Sequence, residues 1–386
     1  MSNLVKIGDF CETNSGGTPS RDKSELYYGG SIPWVKSGEL RENYITDTEE
    51  KITHIALNES SAKLNSANSI LLAMYGATVG RMAILGVDAA TNQAICAIKP
   101  NPEKADLRYV FHALQAKVPD FIHRAKGGAQ PNISQRMIRE TEINLPSLEE
   151  QKRIAAILDK ADSLRRKRAQ AIALADDFLR ATFLDMFGDP VTNPKGWAEN
   201  CKLSDVAEIV SGITKGRVTK GEELFDVPYL AVSNVQDRFI KLDVVKRIEA
   251  TKDEIERYKL LKDDLLLTEG GDPDKLGRGA LWDGSIENCI HQNHVFRVRV
   301  NSELILPVFL NWLVGSQRGK SYFLSAAKQT TGIASINMRQ LKAFPLILPP
   351  VSLQAAFSEM VEKTAQLLVK MKRQSLAELQ SALSLV

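Results

Sequence analysis

The sequence predicts the α+β fold class, with two tandem α+β domains that are each followed by a long helix. Three observations predict it: the second half of the chain repeats the first, each half mixes strand and helix patterns, and each half ends in a long segment without proline or glycine. At about 150 residues per domain, a chain of 386 residues accommodates two or three domains.

The internal repeat relates the two halves at a shift of roughly 195 to 203 residues. Residues 31–40 align with 226–235, and Gly80-Arg81 corresponds to Gly277-Arg278. The longest ungapped block aligns 133–151 with 336–354, and its identical positions in the first half are Ile133, Arg136, Leu145, Pro146 and Gln151. Because the matches keep their order along most of each half, we expect a duplication and not a chance likeness.

Within each half, apolar, β-branched and aromatic runs predict strands, and apolar residues recurring every three or four positions predict helices. The predicted strands lie at 69–76, 93–100, 226–232 and 293–300, and the predicted helices at 106–125 and 304–327. Each half is therefore expected to be an α+β domain of about 145 residues.

Apolar residues also recur at helical spacing along both long segments, which is typical of a coiled-coil seam. Each helix would be roughly 50–60 Å long and has no equally long neighbour in its own domain, so we expect the two to cover each other. The predicted boundaries are 1–147 for the first domain, 148–188 for the first long helix, 189–200 for a linker, 201–350 for the second domain and 351–386 for the second long helix.

Charge and cysteine usage narrow the functional class. Lys and Arg number 50 against 47 Asp and Glu, so a net charge of +3 excludes a histone-like polycation but allows a locally basic face. The four cysteines are scattered and form no C-x-x-C pair, which argues against a zinc ribbon or a disulfide framework. With no signal peptide and no apolar run of membrane-spanning length, we expect a cytoplasmic protein without a membrane partner.

Motif spacing argues against catalysis. The string GSQRGKS (315–321) has one residue too few for a Walker loop, so we interpret it as a helix-to-helix turn with a basic tip. No G-x-G-x-x-G occurs, nor the Asn/Asp-Pro-Pro-aromatic loop of an amino-methyltransferase. His291 and His294 lack further metal ligands at a recognisable spacing, and we interpret them as a polar cluster at a strand edge. The sequence therefore predicts no catalytic residue, metal or cofactor.

Each half contains three loops rich in Gly, Ser, Thr and Asn, with interspersed cations, at matching positions. Glycine lets backbone N–H groups approach phosphate, Arg and Lys neutralise it, and Asn, Gln and Arg can read base edges. A single such loop is better explained as a solvated turn, but three in each copy favour a DNA-binding surface. The candidate DNA-binding residues are Arg21, Lys23, Lys36, Ser37, Tyr75, Thr78, Arg81, Lys126, Gln130 and Asn132 in the first half, and Lys215, Arg217, Ser233, Asn234, Lys275, Arg278, Lys328, Gln329 and Thr330 in the second.

One family shares several of these segments. LPSLEEQKRIAAILDKADSLRRKRAQAI followed by FLDMFGDPVTNPKGW resembles the central region of type I restriction-modification specificity subunits. The blocks IPWV…SG, ILLAMYGATVGR and GAQPNISQ resemble target-recognition domains of that family, and the resemblance covers essentially the whole chain. The second half departs from it, because GGDPDKLGRG replaces YGATVGR and VSLQAAFSEM lacks the charged EEQKRI start.

The resemblance implies that each target-recognition domain reads one half of a bipartite site in double-stranded DNA. It also implies an antiparallel coiled coil of the two long helices, which separates the domains and docks two methylation subunits. Those subunits bring S-adenosylmethionine and methylate adenine N6, while the specificity subunit itself is not catalytic. The resemblance leaves open whether ATP-dependent restriction subunits accompany them. Two alternatives stay open: a coiled-coil adaptor that binds only proteins, and a DNA methyltransferase or nuclease with an unrecognised catalytic loop.

Overall fold

The computed structural model describes residues 4–41, 44–125, 132–218, 221–271, 276–301, 303–330 and 333–384. The chain divides into two compact units, of which the first comprises residues 1–168 with 372–386 and the second comprises 169–371. Each unit therefore contains a part of both long helices. None of the described helices combines the length and the hydrophobicity that a membrane span requires.

The first unit is built on two sheets. Its strands are β1 (Leu4–Lys6), β2 (Cys11–Ser15), β3 (Tyr28–Val35), β4 (Tyr44–Ile45), β5 (Glu50–Ile52), β6 (Leu64–Asn65), β7 (Ile70–Ala73), β8 (Met82–Leu85), β9 (Ala89–Thr91), β10 (Ile95–Pro100) and β11 (Glu142–Asn144). The sheet orders are β2-β10-β7-β8-β4 and β5-β3-β9-β6, and β1 pairs with β11. Its helices are α1 (Ser24–Tyr27), α2 (His54–Glu59), α3 (Leu107–Arg124), α4 (Gln135–Arg139) and the start of α5 (Leu148–Phe187).

The second unit repeats this plan. Its strands are β12 (Ala198–Lys202), β13 (Ala207–Ser211), β14 (Phe225–Leu230), β15 (Lys246–Ala250), β16 (Leu265–Thr268), β17 (Gly270–Gly271), β18 (Gly279–Leu281), β19 (Ile290–His291), β20 (Val295–Val300), β21 (Lys328–Thr330), β22 (Ile333–Ser335) and β23 (Pro345–Leu348). The sheet orders are β13-β20-β16-β18, β15-β14-β19 and β17-β22-β21, and β12 pairs with β23. Its helices are α6 (Leu203–Val206), α7 (Lys252–Tyr258), α8 (Pro307–Val314), α9 (Gln317–Ala326), α10 (Met338–Lys342) and most of α11 (Val351–Ser384).

The central strands are apolar on both faces because each face packs against a different layer. On β7, Ile70 and Leu72 belong to the core that includes Val110 of α3, whereas Leu71 packs with Val35 of β3. Successive side chains of a strand point to opposite faces, so a run of apolar residues without alternation is what a strand between two layers requires. The same reasoning explains the apolar run of β16 in the second unit.

The predicted elements are confirmed. The four predicted strands correspond to β7, β10, β14 and β20, and the first predicted helix corresponds to α3. The second predicted helix is divided into α8 and α9 at Gly315 and Ser316, so the helix-to-helix turn is confirmed. The basic tip is not, because Arg318 and Lys320 lie within α9. The α+β class with two tandem domains is confirmed, whereas the boundaries of the domains and of the linker stay predictions. Strand β12 begins within the predicted linker.

A buried glutamine holds the start of the first long helix. Gln151 is fully buried, and its Oε1 accepts a hydrogen bond from the backbone N–H of Asp106 at 2.8 Å. Its Nε2 donates to the carbonyl oxygens of Pro146 and Lys104, at 2.8 and 3.2 Å. A buried amide that lost these partners would be costly, so Gln151 fixes the position at which α5 leaves the sheet domain.

Gln354 makes the same three bonds at the start of α11. Its Oε1 accepts from the backbone N–H of Leu306 at 2.8 Å, and its Nε2 donates to Pro349 and Leu304 at 2.8 and 3.0 Å. Gln354 is also fully buried. Because the bonds correspond atom for atom, the duplication predicted from the sequence extends to the hydrogen-bond network.

The two long helices contact each other within each unit. In the first unit, Lys160 Nζ of α5 lies 3.0 Å from Glu378 Oε2 of α11. In the second unit, the rings of Phe183 and Phe357 are 5.4 Å apart. Higher residue numbers on α5 thus pair with lower numbers on α11, which is the order of an antiparallel helix pair. Helix α5 ends before Gly188, whose positive φ of 78° is unfavourable for other residues.

Candidate nucleic-acid interface

The candidate loops of the first unit leave the sheet from one end. Strands β2 and β7 both pair antiparallel with β10, where Ser15 lies opposite Cys96 and Ala73 opposite Ile95. The two strands therefore run in the same direction and end side by side. The loops that begin at Gly16 and at Met74 consequently emerge next to each other.

Two further segments come to the same end of the sheet. The backbone N–H of Ile133 donates to the Met74 carbonyl at 2.7 Å, and Tyr75 forms an antiparallel bridge with Asn132. The end of β3 lies nearby, because the Asn92 N–H donates to the Val35 carbonyl at 3.0 Å while the preceding Thr91 carbonyl accepts from Gly17. Lys36 and Ser37, which follow Val35, therefore lie beside the loop that begins at Gly16. We call the residues at 15–23, 36–37, 74–81 and 132–135 the first loop surface.

The second unit assembles an equivalent surface. Strands β13 and β16 both pair antiparallel with β20, with Ser211 opposite Phe296 and Thr268 opposite Val295. The Ile336 N–H donates to the Glu269 carbonyl at 2.8 Å, as Ile133 does to Met74 in the first unit. The described residues at 211–218, 231–234, 269–271, 276–278 and 335–337 form the second loop surface.

A glycine begins the first loop of each surface because the backbone of the neighbouring sheet lies too close for a side chain. A Cβ on Gly16 would overlap the Thr91 carbonyl oxygen, and a Cβ on Gly212 would overlap that of His291. The next residues form matching bonds, from the Gly17 and Ile213 N–H groups to those same carbonyls at 2.8 Å. This close approach joins the sheets of β2 and β9 in the first unit, and those of β13 and β19 in the second.

Gly80 and Gly277 anchor the second loop of each surface. Their φ angles are +82° and +75°, and a Cβ would lie 2.6 Å from Val118 and 2.8 Å from Phe323, respectively. The following arginines, Arg81 and Arg278, are thereby held at the turn that returns to the sheet. The match between these positions, first seen in the sequence, is preserved in conformation.

Several candidate cations are already paired with carboxylates. Arg21 Nη2 lies 2.7 Å from Glu50 Oε2, and its guanidinium lies 4.0 Å from the centre of the Tyr28 ring. Lys36 pairs with Glu49 at 3.0 Å and Lys23 with Glu59 at 3.7 Å. Each pair is partly or fully solvent-exposed, so a phosphate can compete for these cations at modest cost.

Arg217 and Asn234 are more firmly engaged within the second unit. The Nε and Nη2 groups of Arg217 donate to the two carboxylate oxygens of Glu254, and this pairing holds the pKa of Glu254 below its usual range. Asn234 is buried, and its amide bonds to Ala231 N, Lys241 O and Val244 O at 2.8–2.9 Å. Both residues shape their loops and offer little free hydrogen-bonding capacity to a ligand.

The remaining candidates differ in accessibility. Arg81, Asn132, Lys215, Ser233 and Lys328 are exposed, and Ser37, Tyr75, Thr78 and Arg278 are half-buried. Arg81, Lys215, Arg278 and Lys328 take part in no ion pair within the described part of the chain. Lys126, Gln130 and Lys275 lie outside the described residues, and for Gln329 and Thr330 the description is limited to their place in β21.

Sequence reasoning missed cations that lie just beside the loop surfaces. Arg136 and Arg139 project from α4, and Arg339 and Lys342 project from α10, all of them exposed. The signal was present in the ungapped repeat, because both pairs fall at the same aligned positions. It was overlooked because these residues stand in short helices and not in glycine-rich loops.

The two histidines do not form a common surface cluster. His291 is fully buried, and because a carbonyl oxygen only accepts, its Nδ1 carries the proton that it donates to Val295 O at 2.7 Å. His294 is exposed and its Nδ1 lies 2.6 Å from Glu269 Oε2. Across the described residues, no group of three or more His, Cys, Asp or Glu side chains could hold a metal ion.

Acid is expected to destabilise the second unit through His291. Burial, with the positive charges of Arg297 and Arg299, lowers the pKa of His291 from 6.5 to about 4. The unfolded chain therefore takes up a proton first as the pH falls from 6.5 to 4, and the free energy of unfolding declines over that window by about 3 kcal/mol. Urea unfolding at several pH values should show this decline, and His291→Gln should flatten it. His294→Gln is the control, and an unaltered decline in His291→Gln would contradict the assignment.

The cysteines are inert thiols in this fold. All four are buried and unpaired with one another. Burial raises the pKa of Cys11, Cys96 and Cys289 to about 12, so little thiolate exists at neutral pH. None of them is suited to act as a nucleophile.

This chain is similar in sequence to a described protein family and to several known proteins. A family model described as type I restriction modification DNA specificity domain matches residues 2–174 and 194–381. The EcoR124I/EcoR124II specificity subunit of Escherichia coli is 32% identical over 163 residues, covering 41% of this chain and 40% of that protein. The MjaIX specificity subunit of Methanocaldococcus jannaschii is 28% identical over 252 residues, covering 60% and 57%. The chain thus spans about half the length of these two relatives.

Longer matches cover nearly the whole chain. The MjaVIII specificity subunit of the same archaeon is 26% identical over 403 aligned positions, covering 98% of this chain and 89% of that protein. The crystal structure of the type I restriction-modification S subunit from M. genitalium matches with a TM-score of 0.57 at 16% identity. The match covers 100% of this chain and 94% of the M. genitalium chain, which establishes a common fold.

Proposed function

The chain belongs to the family of type I restriction-modification specificity subunits, and from that premise we propose that each of its units binds one half of a bipartite site in double-stranded DNA. The observation that carries the proposal is the recurrence of the loop surface. In both units, loops that bear cations emerge from one end of a sheet, and matching backbone hydrogen bonds hold them there.

The differences between the loop surfaces support separate sequence preferences for the two halves. The second loop reads YGATVGR in the first unit and GGDPDKLGR in the second. Base edges are distinguished by the donors and acceptors that side chains present, so loops of different composition should read different bases. A common frame with divergent loops is what reading two unlike half-sites requires.

The proposal assigns the chemistry to partners. We propose that the long helices dock two methylation subunits, which bring S-adenosylmethionine, and that this chain supplies no catalytic residue and no cofactor. An ATP-dependent restriction subunit would join the same cytoplasmic complex where the system includes one. Exposed apolar side chains on the long helices, such as Leu174 and Phe178 on α5 and Leu367 on α11, offer surface for protein partners.

A genome-wide map of methyladenine in cells with and without this gene tests the proposal. We expect a two-part motif with a fixed gap to lose its methylation completely on deletion. Exchanging residues 1–147 for those of another family member should then change one half of the motif and leave the other half unaltered. Methylation that is unaffected by deletion, although the partner subunits are expressed, would contradict the proposal and favour a protein-binding adaptor.

Arg81→Ala and Arg278→Ala are expected to weaken DNA binding in parallel, because the two arginines occupy equivalent positions. If the contact is to phosphate, the slope of log affinity against log salt should fall by about 1. If it is to a base, the loss should be about 1–3 kcal/mol with relaxed preference at one position of one half-site. Lys262→Ala, an exposed cation before the opposite end of β16, is the control. Unaltered affinity across the salt series would remove both arginines from the interface.

A further inference from the structure

Beside each loop surface, three exposed cations line a shallow depression. In the first unit, Lys6, Arg136 and Arg139 line a depression of about 470 Å³, and we call these three the first cationic surface. In the second unit, Lys202, Arg339 and Lys342 line one of about 430 Å³, and they form the second cationic surface. The two sets occupy corresponding positions of the internal repeat.

The same backbone contacts build both depressions. The first strand of each unit ends where a backbone N–H donates to the segment after the short helix, from Ile7 to Thr141 at 2.9 Å and from Leu203 to Phe344 at 3.0 Å. Lys6 and Lys202 immediately precede these donors. The paired cations on α4 and on α10 are three residues apart, and residues at that spacing share one face of a helix.

Each cationic surface is continuous with its loop surface. The Ile133 N–H is bonded to Met74 within the first loop surface, and Arg136 follows only three residues later. Ile336 and Arg339 repeat this relation in the second unit. Three residues span at most about 11 Å of chain, so a duplex that contacts the loops lies within reach of the cations.

We propose that the two cationic surfaces bind backbone phosphates of the duplex whose bases the loop surfaces read. Phosphate contacts carry no sequence information, so two halves that read different bases can use the same ones. That is the pattern in the repeat: the loops have diverged in composition, whereas a cation stands at all three positions in both copies. The inference rests on the proposed function and adds to it the residues that fix the position of the DNA.

The two surfaces differ in strength because two carboxylates, Asp9 and Glu140, line the first depression. In the first, Arg136 pairs with Glu140 at 2.7 Å, and this bond together with the charges of Arg136, Lys6 and Arg124 lowers the pKa of Glu140. The corresponding residue in the second is Ala343, and no carboxylate lines its depression among the described residues. The second surface therefore has three cations and no lining carboxylate, and it should make the larger contribution to affinity.

The test uses the full chain and a DNA duplex of unrelated sequence, because the contact is independent of sequence. For the triple variant Lys202→Ala/Arg339→Ala/Lys342→Ala, we expect the slope of log affinity against log salt to fall by about 2–3, measured by fluorescence anisotropy between about 50 and 200 mM salt. Affinity in about 0.1 M salt should fall on the order of 10- to 100-fold. The equivalent triple variant Lys6→Ala/Arg136→Ala/Arg139→Ala should show the same change with a smaller size.

Two single variants provide matched controls. Glu140→Ala removes the carboxylate that pairs with Arg136 and leaves Asp9 in place, so binding should tighten and the salt slope should steepen by up to about 1. Lys262→Ala removes an exposed cation that lines neither depression, and it should leave the slope unaltered. Circular dichroism of every variant should match the parent chain, since all the exchanged side chains are exposed.

The outcomes separate this inference from the proposed function. An unaltered slope in both triple variants would overturn the inference, while a bipartite methylation motif could still uphold the proposed function. Loss of assembly with the methylation subunits at unaltered DNA affinity would identify the depressions as protein-docking surfaces and would also overturn it. A reduced salt slope in the purified triple variants, together with a methylation map that shows no two-part motif, would support phosphate binding and contradict bipartite recognition.

Discussion

Replacing Phe357 with alanine is expected to destabilise the second unit by about 3–5 kcal/mol. Phe357 is fully buried near the start of α11, and its ring lies 5.4 Å from that of Phe183, 5.5 Å from Phe187 and 5.3 Å from Trp312. The substitution would leave a cavity bounded by three rigid rings, which cannot collapse easily, and it would also remove edge-to-face ring contacts.

Thermal unfolding of the full chain would measure this effect, with the transition of each unit followed separately. For a unit of about 200 residues, the expected loss lowers the unfolding temperature on the order of 10 °C. Ile154→Ala is the matched control, because Ile154 is the repeat equivalent of Phe357 on α5 and is only partly buried. The control should lower the transition of the first unit by less. Equal effects of the two substitutions would contradict the importance assigned to the aromatic cluster.

The fold was largely predictable because its determinants are local or repeated. Helix periodicity without proline or glycine predicts α5 and α11, and short apolar runs predict the strands that lie between two layers, such as β7. The repeat then limits the number of architectures, since two copies of one pattern should adopt one fold. Even Gln151 and Gln354, the buried glutamines at the starts of α5 and α11, are matched positions of the repeat in the sequence.

The site was less predictable because it depends on contacts between distant residues. Glu254, which engages Arg217, is 37 residues away along the chain, and Glu50, which engages Arg21, is 29 away. No local pattern reveals such partners, so the sequence could not distinguish paired from free cations. The burial of Asn234 and His291 could not be predicted from the sequence for the same reason, since both lie next to segments that are distant along the chain.

The two units show that glycine-rich loops are a weaker indication of phosphate binding than their composition suggests. Glycines at the loop surfaces serve mainly to allow close backbone contact, as at Gly16 and Gly212, and they are not in themselves a sign of phosphate binding. Cations that recur in both copies are the stronger indication. Aligning the repeat by charge, and not only by identity, would have selected Arg139 and Lys342 from the sequence alone.

Lengthening both long helices by four residues is expected to lengthen the gap of the methylated DNA motif by one or two base pairs. Four residues add about 6 Å of helix, while base pairs are stacked about 3.4 Å apart. The insertion in α5 would lie between Ala169 and Ala175, and the matching one in α11 between Thr364 and Lys370. These positions fall between the observed pairs Lys160–Glu378 and Phe183–Phe357, so both pairs keep their partners.

Two properties make this variant decisive. Four residues turn a helix by about 400°, close to one full turn, so the apolar seam between the helices stays nearly in phase. Insertion into α11 alone is the control, because it shifts the partners on one side of the insertion by a whole turn and should abolish methylation. If the double insertion preserved methylation of the original motif with an unaltered gap, helix length would not set the spacing. A longer gap with unaltered half-sites would show that the units read the bases while the helices determine the distance between them.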